Sequence, residues 1–213
     1  MSKPFRSALF AATVALFVGT GAQAAIVTSL YSTGLTAGGT TQLAGATDAH
    51  YIVVENGLAS AVVVSDPAYF PNDAQSQWIW QQADGLPVNV TRTFRTTFDL
   101  TGFDFTTASI TGLWGTDNFG EDITINGVST GIALPGMVSS NYTSLNAFSI
   151  ASGFQAGINT LEFRVRDVGV IAGFRAQLTG EADILSAVPE PGTLALAALG
   201  LFVAASARSR KPS

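Results

Sequence analysis

Hydrophobic and polar residues alternate with a period of two in many short segments of this chain. The clearest segment is Thr91–Leu100, and Thr160–Asp167 repeats the pattern later in the chain. Turn-forming pairs such as Asn126-Gly127 separate these segments. A period of two is typical of half-buried β-strands, and no stretch of residues 25–187 keeps a helical period over three turns. About nine short strands with turns between them predict an all-β antiparallel sandwich.

The inward-facing positions of these strands predict one shared core. We expect it to contain Phe94, Phe98, Trp114, Leu161, Phe163 and Val165. Trp78 and Trp80 lie on one face of a predicted strand at residues 77–81, where apolar neighbours favour core packing over stacking on a sugar ring. The alternative is that one of these two tryptophans is exposed. Residues 25–45 are rich in Gly, Thr and Ala and predict a flexible lead-in or a loop, so that order begins near Ala49.

The first 24 residues have the three regions of a secretory signal peptide. Lys3 and Arg6 give a basic start, residues 8–18 are apolar, and Ala22 and Ala24 are the small residues that a signal peptidase recognises. No twin arginine is present, which favours the general secretory route. An uncleaved N-terminal anchor is the alternative, and the Ala-x-Ala site argues against it.

Residues 188–213 contain three parts in a fixed order. Val188-Pro189-Glu190-Pro191-Gly192 is followed by the apolar run Thr193–Ala207, and then by the basic residues Arg208, Arg210 and Lys211. Proline removes backbone donors and prevents a helix or strand from running through the first part. The apolar run is shorter than the roughly 20 residues that span a bilayer comfortably, and its basic end is expected on the cytoplasmic side. This tail resembles the PEP-CTERM sorting signal of exported bacterial proteins; an ordinary C-terminal anchor is the alternative.

The resemblance implies a sorting route. The secretion machinery would export the chain, and the C-terminal helix would hold it in the inner membrane. An exosortase-type membrane protease would then process it near Pro189-Glu190-Pro191 and leave it at the cell surface or in an extracellular polysaccharide matrix. The expected organisation is a signal peptide at 1–24, an exported β-sandwich domain at 25–187 and a sorting and anchor segment at 188–213. A signal helix and a hydrophobic C-terminal helix would therefore flank the sandwich.

The body has a second resemblance, which covers roughly residues 78–180. Ala-Ser-Ile-Thr-Gly-Leu-Trp-Gly-Thr-Asp-Asn at 108–118, Ile125-Asn126-Gly127 and the segment 157–163 resemble jelly-roll sandwiches related to galactose-binding domains. These residues determine the fold: a core tryptophan, hairpin glycines and an inward-facing final strand. The resemblance therefore implies a jelly-roll-like fold, but it carries over no sugar site, because no set of ligand-contacting residues matches.

Composition narrows the possible functions. The 213 residues have a formal net charge of −5, but residues 25–187 contain five arginines, no lysine and fourteen acidic residues, a net charge of −9. Such a body would repel a phosphate backbone, so nucleic-acid binding is not expected. The chain has no cysteine, which excludes disulfides, thiolate metal sites and cysteine nucleophiles.

Enzymatic chemistry finds little support in the residues. His50 is the only histidine, and a catalytic triad would need it placed between a carboxylate and an activated nucleophile. Asp48 is close in sequence, but no Gly-x-Ser-x-Gly motif accompanies the pair. The fourteen acids of the body single out no pair for glycoside hydrolysis. We therefore predict a protein that is not an enzyme, without a catalytic residue or a cofactor.

An oxygen-rich segment follows the predicted strand that ends near Trp114. Asp117, Asn118, Glu121 and Asp122 supply hard oxygen atoms of the kind that calcium prefers. The spacing does not match an EF-hand, and these residue types also form turns by bonding their own backbone. We expect a turn and no metal, with calcium binding as the alternative.

The residues and resemblances together predict an exported, non-enzymatic envelope or matrix protein with a structural or adhesive role. A carbohydrate-binding module that acts on extracellular polysaccharide is the alternative, and a hydrolase is a third possibility. An exposed aromatic strip beside polar groups would favour carbohydrate binding. A pocket with converging carboxylates of perturbed pKa would favour hydrolysis.

Overall fold

The structure is a computed structural model that describes residues 23–185 and residue 201. Within residues 23–185 the chain forms eleven strands, one short helix and a 3-10 turn at Val54–Asn56. The strands are β1 (Ala24–Ile26), β2 (Thr47–Val53), β3 (Ala59–Val63), β4 (Ile79–Trp80), β5 (Thr91–Asp99), β6 (Phe103–Asp117), β7 (Phe119–Ile125), β8 (Val128–Ser129), β9 (Asn146–Ile150), β10 (Ile158–Arg166) and β11 (Gly173–Ile184), and the helix is α1 (Ser140–Thr143).

All strand pairs are antiparallel, and they form one hydrogen-bonded path in the order β8-β7-β10-β5-β2-β3-β4-β11-β6-β9, with β1 beside β11. This path folds back on itself. Strands β8, β7, β10, β5 and β2 form one layer, β4, β11, β6, β9 and β1 form the other, and β3 links the two. The fold is the all-β antiparallel sandwich that the alternating pattern predicts, and it is jelly-roll-like, as the resemblance of the body implies.

Aromatic rings fill the space between the two layers. The ring of Phe174 on β11 lies 4.8 Å from the rings of Phe94 on β5 and Phe163 on β10, centroid to centroid. Trp114 on β6 lies 5.9 Å from Phe163. All six predicted core residues are buried, and so are Trp78 and Trp80. The prediction of core packing for the tryptophans is therefore confirmed, and neither Trp78 nor Trp80 is exposed.

The predicted strand boundaries agree closely with the structure where the alternation is clear. The nine residues of β5 pair in register with the nine of β10, from Thr91↔Arg166 to Asp99↔Ile158. The predicted hairpin at Asn126-Gly127 connects β7 to β8, and both residues have the positive φ that a tight hairpin turn requires, 52° and 78°.

The prediction that order begins near Ala49 is wrong. Residues 24–26 form β1 against Glu181–Asp183 of β11. Farther along, the amide of Val27 donates to the carbonyl of Gly180 at 2.8 Å, and the hydroxyl of Thr33 accepts from the amide of Ala176 at 3.0 Å. The segment lacks an alternating pattern because some of its hydrogen bonds to the edge of β11 come from side chains. Hydrophobic periodicity does not record such bonds.

Strand β11 defines two ends of the sandwich. Gly173, its first residue, pairs with Asp117, and we call this region the loop end. Asp183, near its last residue, pairs with Asp104 and with Ala24, and we call that region the terminal end. A strand of this length spans about 36 Å. The chain enters and leaves the sandwich at the terminal end, far from the loop end.

The predicted signal helix and most of the C-terminal segment lie outside the described residues; of the latter, only Leu201 is described, and it is helical. No helix in the described part of the chain has the length and apolar character to cross a membrane.

Candidate functional site

Several chain segments meet at the loop end. Asp117 ends β6, Tyr69 lies in the loop between β3 and β4, and Tyr142 belongs to α1. The hydroxyl of Tyr69 donates to Oδ2 of Asp117 at 3.0 Å. The amide of Phe70 donates to the carbonyl of Tyr142 at 2.7 Å. Residues far apart in the sequence are thus brought together by direct hydrogen bonds.

Asn118 ties the remaining segments to this group. Its side-chain amide donates to Oδ1 of Asp117, and its Oδ1 accepts from the amide of Val168 at 2.7 Å. Its carbonyl accepts from Nδ2 of Asn141 at 2.7 Å. These bonds connect the segments to one another through groups of the protein itself.

Burial controls the electrostatics of Asp117, whose exposed fraction is 6%. Burial raises the pKa of Asp117 to about 6; the hydrogen bond from Tyr69 opposes this rise, and the charges of Asp167 and Asp66 add to it. Asp117 is therefore mainly ionised at neutral pH and accepts hydrogen bonds. Burial also raises the pKa of Tyr69, so that its hydroxyl remains a donor.

Asp167 is a second buried carboxylate of the loop end. Its Oδ2 accepts from the amide of Asn89 at 2.6 Å. Burial raises the pKa of Asp167, and the backbone amides of Asn89 and Gly169 oppose that rise. Asp167 thus adds negative charge beside Asp117 and holds the loop at Asn89.

Two cavities open at the loop end, and Tyr69 lines both. The first, which we call the Tyr69 cavity, has a volume of about 220 Å³ and is lined by Ala68, Tyr69, Asp117, Asn118, Tyr142, Gly169, Val170 and Ile171. The second has a volume of about 380 Å³ and is lined by residues 65–67, residues 69–72 and Trp78. Phe70 at the second cavity is 37% exposed, and the guanidinium of the buried Arg175 lies 5.5 Å from its ring centroid.

Each of the two cavities is lined by one carboxylate among the described residues. Glycoside hydrolysis uses two carboxyl groups roughly 5 to 9.5 Å apart on either side of the bond that breaks. In the described part of the chain, Asp117 is the one carboxylate that lines the Tyr69 cavity, and Asp66 is the one that lines the second. A single acceptor carboxylate beside aromatic rings is suited to holding a ligand with hydroxyl groups.

Asp48 and the ring of His50 contact different partners. Asp48 is buried and accepts hydrogen bonds from the backbone amides of Gly34, His50 and Tyr51. The ring of His50 stacks on Tyr31 at a centroid distance of 3.6 Å, and its Nε2 lies 2.8 Å from the carbonyl of Thr36. Both residues therefore hold the segment before β2 in place.

The predicted oxygen-rich turn is not a turn. Only Asn118 separates β6 from β7, so Glu121 and Asp122 lie within a strand that pairs with β10. Glu121 forms ion pairs with Arg164 and Arg166 at 2.8 and 2.9 Å, and Asp122 accepts from the hydroxyl of Ser129. The side-chain oxygen atoms of Asp117, Asn118, Glu121 and Asp122 therefore do not converge on one metal position. Nor do the described residues contain any group of three or more His, Cys, Asp or Glu side chains that could hold a metal ion.

Sequence reasoning singled out Asp117 and Asn118 but missed Tyr69, Tyr142 and Asp167. Tyr69 lies 48 positions before Asp117, and its only local signal is a loop rich in proline. No spacing rule connects residues that meet only after two layers pack.

Residues 187–211 match the model of the PEP-CTERM protein-sorting motif. The chain carries a PEP-CTERM sorting motif. The match covers the predicted motif residues Val188, Pro189, Glu190, Pro191 and Gly192 and the basic residues Arg208, Arg210 and Lys211. The motif indicates an exported protein that is sorted through an exosortase.

No curated protein matches this chain. Among solved structures, the body is similar to the CBM36-1 domain of a multidomain xylanase from the hindgut metagenome of Trinervitermes trinervoides. That similarity has a TM-score of 0.31 and 13% sequence identity, and it covers 79% of this chain and 100% of the other.

Proposed function

We propose that this chain is an exported, non-enzymatic β-sandwich protein with a structural or adhesive role at the cell surface or in an extracellular matrix. Under this proposal residues 1–24 are a signal peptide, 25–187 the exported domain and 188–213 a transient sorting anchor. The tail holds the protein in the inner membrane, with Arg208, Arg210 and Lys211 on the cytoplasmic side. An exosortase-type protease then removes the tail.

The sorting motif carries this proposal, and the fold supports it. Strand β11 ends at Ile184, and the motif match begins at residue 187, so the complete sandwich leads directly into the sorting segment. Signal cleavage at Ala24 would fall within β1, which pairs with β11. We therefore expect the signal peptidase to cut before β1 joins the sheet.

The intact mass of the protein recovered from the surface of its native host tests the proposal. We expect a chain that is shortened at both ends, near Ala24 and near Pro189. Replacement of Pro189, Glu190 and Pro191 by alanine should block the C-terminal shortening while membrane insertion continues, because the apolar segment is unchanged. Thr193→Ala, which leaves the segment Val188-Pro189-Glu190-Pro191-Gly192 unchanged, is the matched control. Recovery of surface chains that still end at Ser213 would contradict processing and indicate a permanent anchor.

Carbohydrate binding is the second candidate function, and the two cavities that share Tyr69 favour it. They place aromatic rings and carboxylates together at the loop end, opposite the end of the sandwich where β11 finishes at Ile184. A body anchored at its terminal end would therefore present these cavities away from the membrane. Retention of the protein on columns of the host's extracellular polysaccharide would support this function.

A further inference from the structure

We propose that the Tyr69 cavity binds a neutral sugar unit of a polysaccharide chain, with Asp117 accepting hydrogen bonds from its hydroxyl groups. This inference rests on carbohydrate binding, the second proposed function, and assigns it to a site. The site lies at the loop end and is separate from the sorting motif.

The size and walls of the cavity fit a single sugar ring. Its volume of about 220 Å³ is below the roughly 300 Å³ at which pockets for drug-sized ligands begin. Tyr142, which is partly exposed, and Tyr69, which is 5% exposed, both line the cavity, and their ring centroids are 5.9 Å apart. Aromatic faces pack against the apolar C–H groups of a sugar, while nearby polar groups bond its hydroxyls.

Asp117 retains acceptor capacity for a ligand. Each oxygen of an ionised carboxylate can accept about two hydrogen bonds. Tyr69 uses one position on Oδ2, and Asn118 uses one on Oδ1. The remaining positions can accept hydroxyl groups from a ligand in the cavity that Asp117 lines.

Charge favours a neutral sugar over an acidic one. Asp66 and Asp167 lie close enough to raise the pKa of Asp117, so two further negative charges lie near the site. The body as a whole is also acidic. An anionic sugar would meet like charge in a partly buried site, where repulsion is poorly screened.

The second cavity extends the site to a chain of sugars. It shares Tyr69 with the first cavity, and it presents the exposed ring of Phe70 and the carboxylate of Asp66. A ligand of several units can occupy both cavities, whereas a single sugar fills only one. We therefore expect hexasaccharides to bind at least tenfold more tightly than the corresponding monosaccharides.

The test measures binding of the full chain, purified in a detergent without a sugar headgroup, by isothermal titration calorimetry. The probes are cellohexaose, laminarihexaose, mannohexaose and maltohexaose, the monosaccharides glucose and mannose, and hexagalacturonic acid as the acidic probe. At least one neutral hexasaccharide should bind, and hexagalacturonic acid should bind more weakly.

Two exposed valines, one in the Tyr69 cavity and one in a third cavity elsewhere on the sandwich, provide a matched pair of blocking variants. Val170 is 91% exposed and lines the Tyr69 cavity, so Val170→Arg should block it without disturbing the buried hydrogen bonds. Val128 is 65% exposed and lines a different cavity of about 230 Å³ between the β7–β8 hairpin and the end of β9. Val170→Arg should weaken hexasaccharide binding at least tenfold, and Val128→Arg should leave it unchanged.

Asp117→Ala tests the acceptor and should also weaken binding about tenfold or more, since hydrogen bonds to charged groups are among the stronger ones. Asp117→Ala can lose binding because it is less stable. If Val170→Arg loses binding while its melting temperature is unchanged, the loss comes from the blocked cavity and not from unfolding. Binding that survives Val170→Arg but is lost in Val128→Arg would overturn the site and leave carbohydrate binding intact. Failure of every neutral probe and of the host polysaccharide would overturn both.

Discussion

The aromatic core and the loop end are both buried, but different forces hold them together. In the core, Phe94, Phe163 and Phe174 contact one another across the two layers at centroid distances of 4.8 Å. At the loop end, Tyr69 and Asp117 are also removed from solvent, yet each depends on a specific hydrogen bond. Apolar burial is not directional, whereas a buried polar group is costly unless its partner is in place.

This difference predicts how each region responds to change. Core stability should depend on side-chain volume and scarcely on pH. The loop end should respond to pH, because burial raises the pKa of Asp117 and Asp167. Substitutions in the two regions separate these behaviours.

The largest effect is expected in the core. Phe163→Ala should lower the free energy of unfolding by roughly 3 to 5 kcal/mol, because it deletes a fully buried ring and leaves a cavity. Urea denaturation of the full chain measures the loss. Phe105→Ala is the matched control, since Phe105 is 38% exposed and should lose far less. A loss below about 1 kcal/mol for Phe163→Ala would show that this ring does not support the core.

The contrast between apolar burial and specific hydrogen bonds also explains which parts of the structure can be predicted from the sequence. The faces of β5 and β10 are predicted correctly because alternation records burial one residue at a time. The contact of Tyr69 with Asp117 joins loops from different layers, and no local pattern encodes it. The edge of β11 that pairs with Val27 and Thr33 was missed for the same reason.

A second core prediction concerns the close approach of Gly120 to the ring of Trp114, and not the loss of a side chain. A Cβ on Gly120 would overlap the ring of the buried Trp114, so Gly120→Ala should destabilise the protein by roughly 1 to 3 kcal/mol. Gly38→Ala is the control, because the nearest atom to its added Cβ, Oγ1 of Thr36, is 3.8 Å away. Neither glycine has a positive φ, so backbone strain cannot explain a difference between them. Equal stability of the two variants would contradict the close contact.

The third prediction tests the pH response of the loop end. Since its pKa in the folded protein is about 6 and its ordinary value is 3.8, Asp117 binds more protons when folded in this interval. Its contribution to stability is therefore complete below pH 3.8 and is lost as the pH rises through about 6. Asp117→Asn should reduce the difference in unfolding free energy between pH 4 and pH 7 by roughly 2 kcal/mol.

The comparison between two pH values cancels any constant cost of the Asp117→Asn change. Other carboxylates also titrate, since burial raises the pKa of Asp48 and Asp167 whereas hydrogen bonds from Thr101 and Thr106 lower the pKa of Asp99 and Asp104. These contributions are common to both proteins and largely cancel when the variant is compared with the unmodified chain. Asp66→Asn offers a control from the larger cavity, because it removes a charge near Asp117 without replacing the buried carboxylate. If Asp117→Asn keeps the full difference between the two pH values, Asp117 does not titrate in this interval.

The smallest effect is expected on the outer face of the layer that contains β5 and β10. Arg95 and Glu162 form a cross-strand ion pair, with 2.7 Å between Nε and Oε1, but both side chains are partly exposed. Solvent screening and the entropy of holding two long side chains limit such pairs to roughly 0.2 to 1 kcal/mol. A double-mutant cycle with Arg95→Gln and Glu162→Gln should give a coupling energy in this range that decreases in 1 M salt. A coupling that exceeds the loss in Gly120→Ala would mean that surface charge, and not the aromatic core, provides much of the stability of the sandwich.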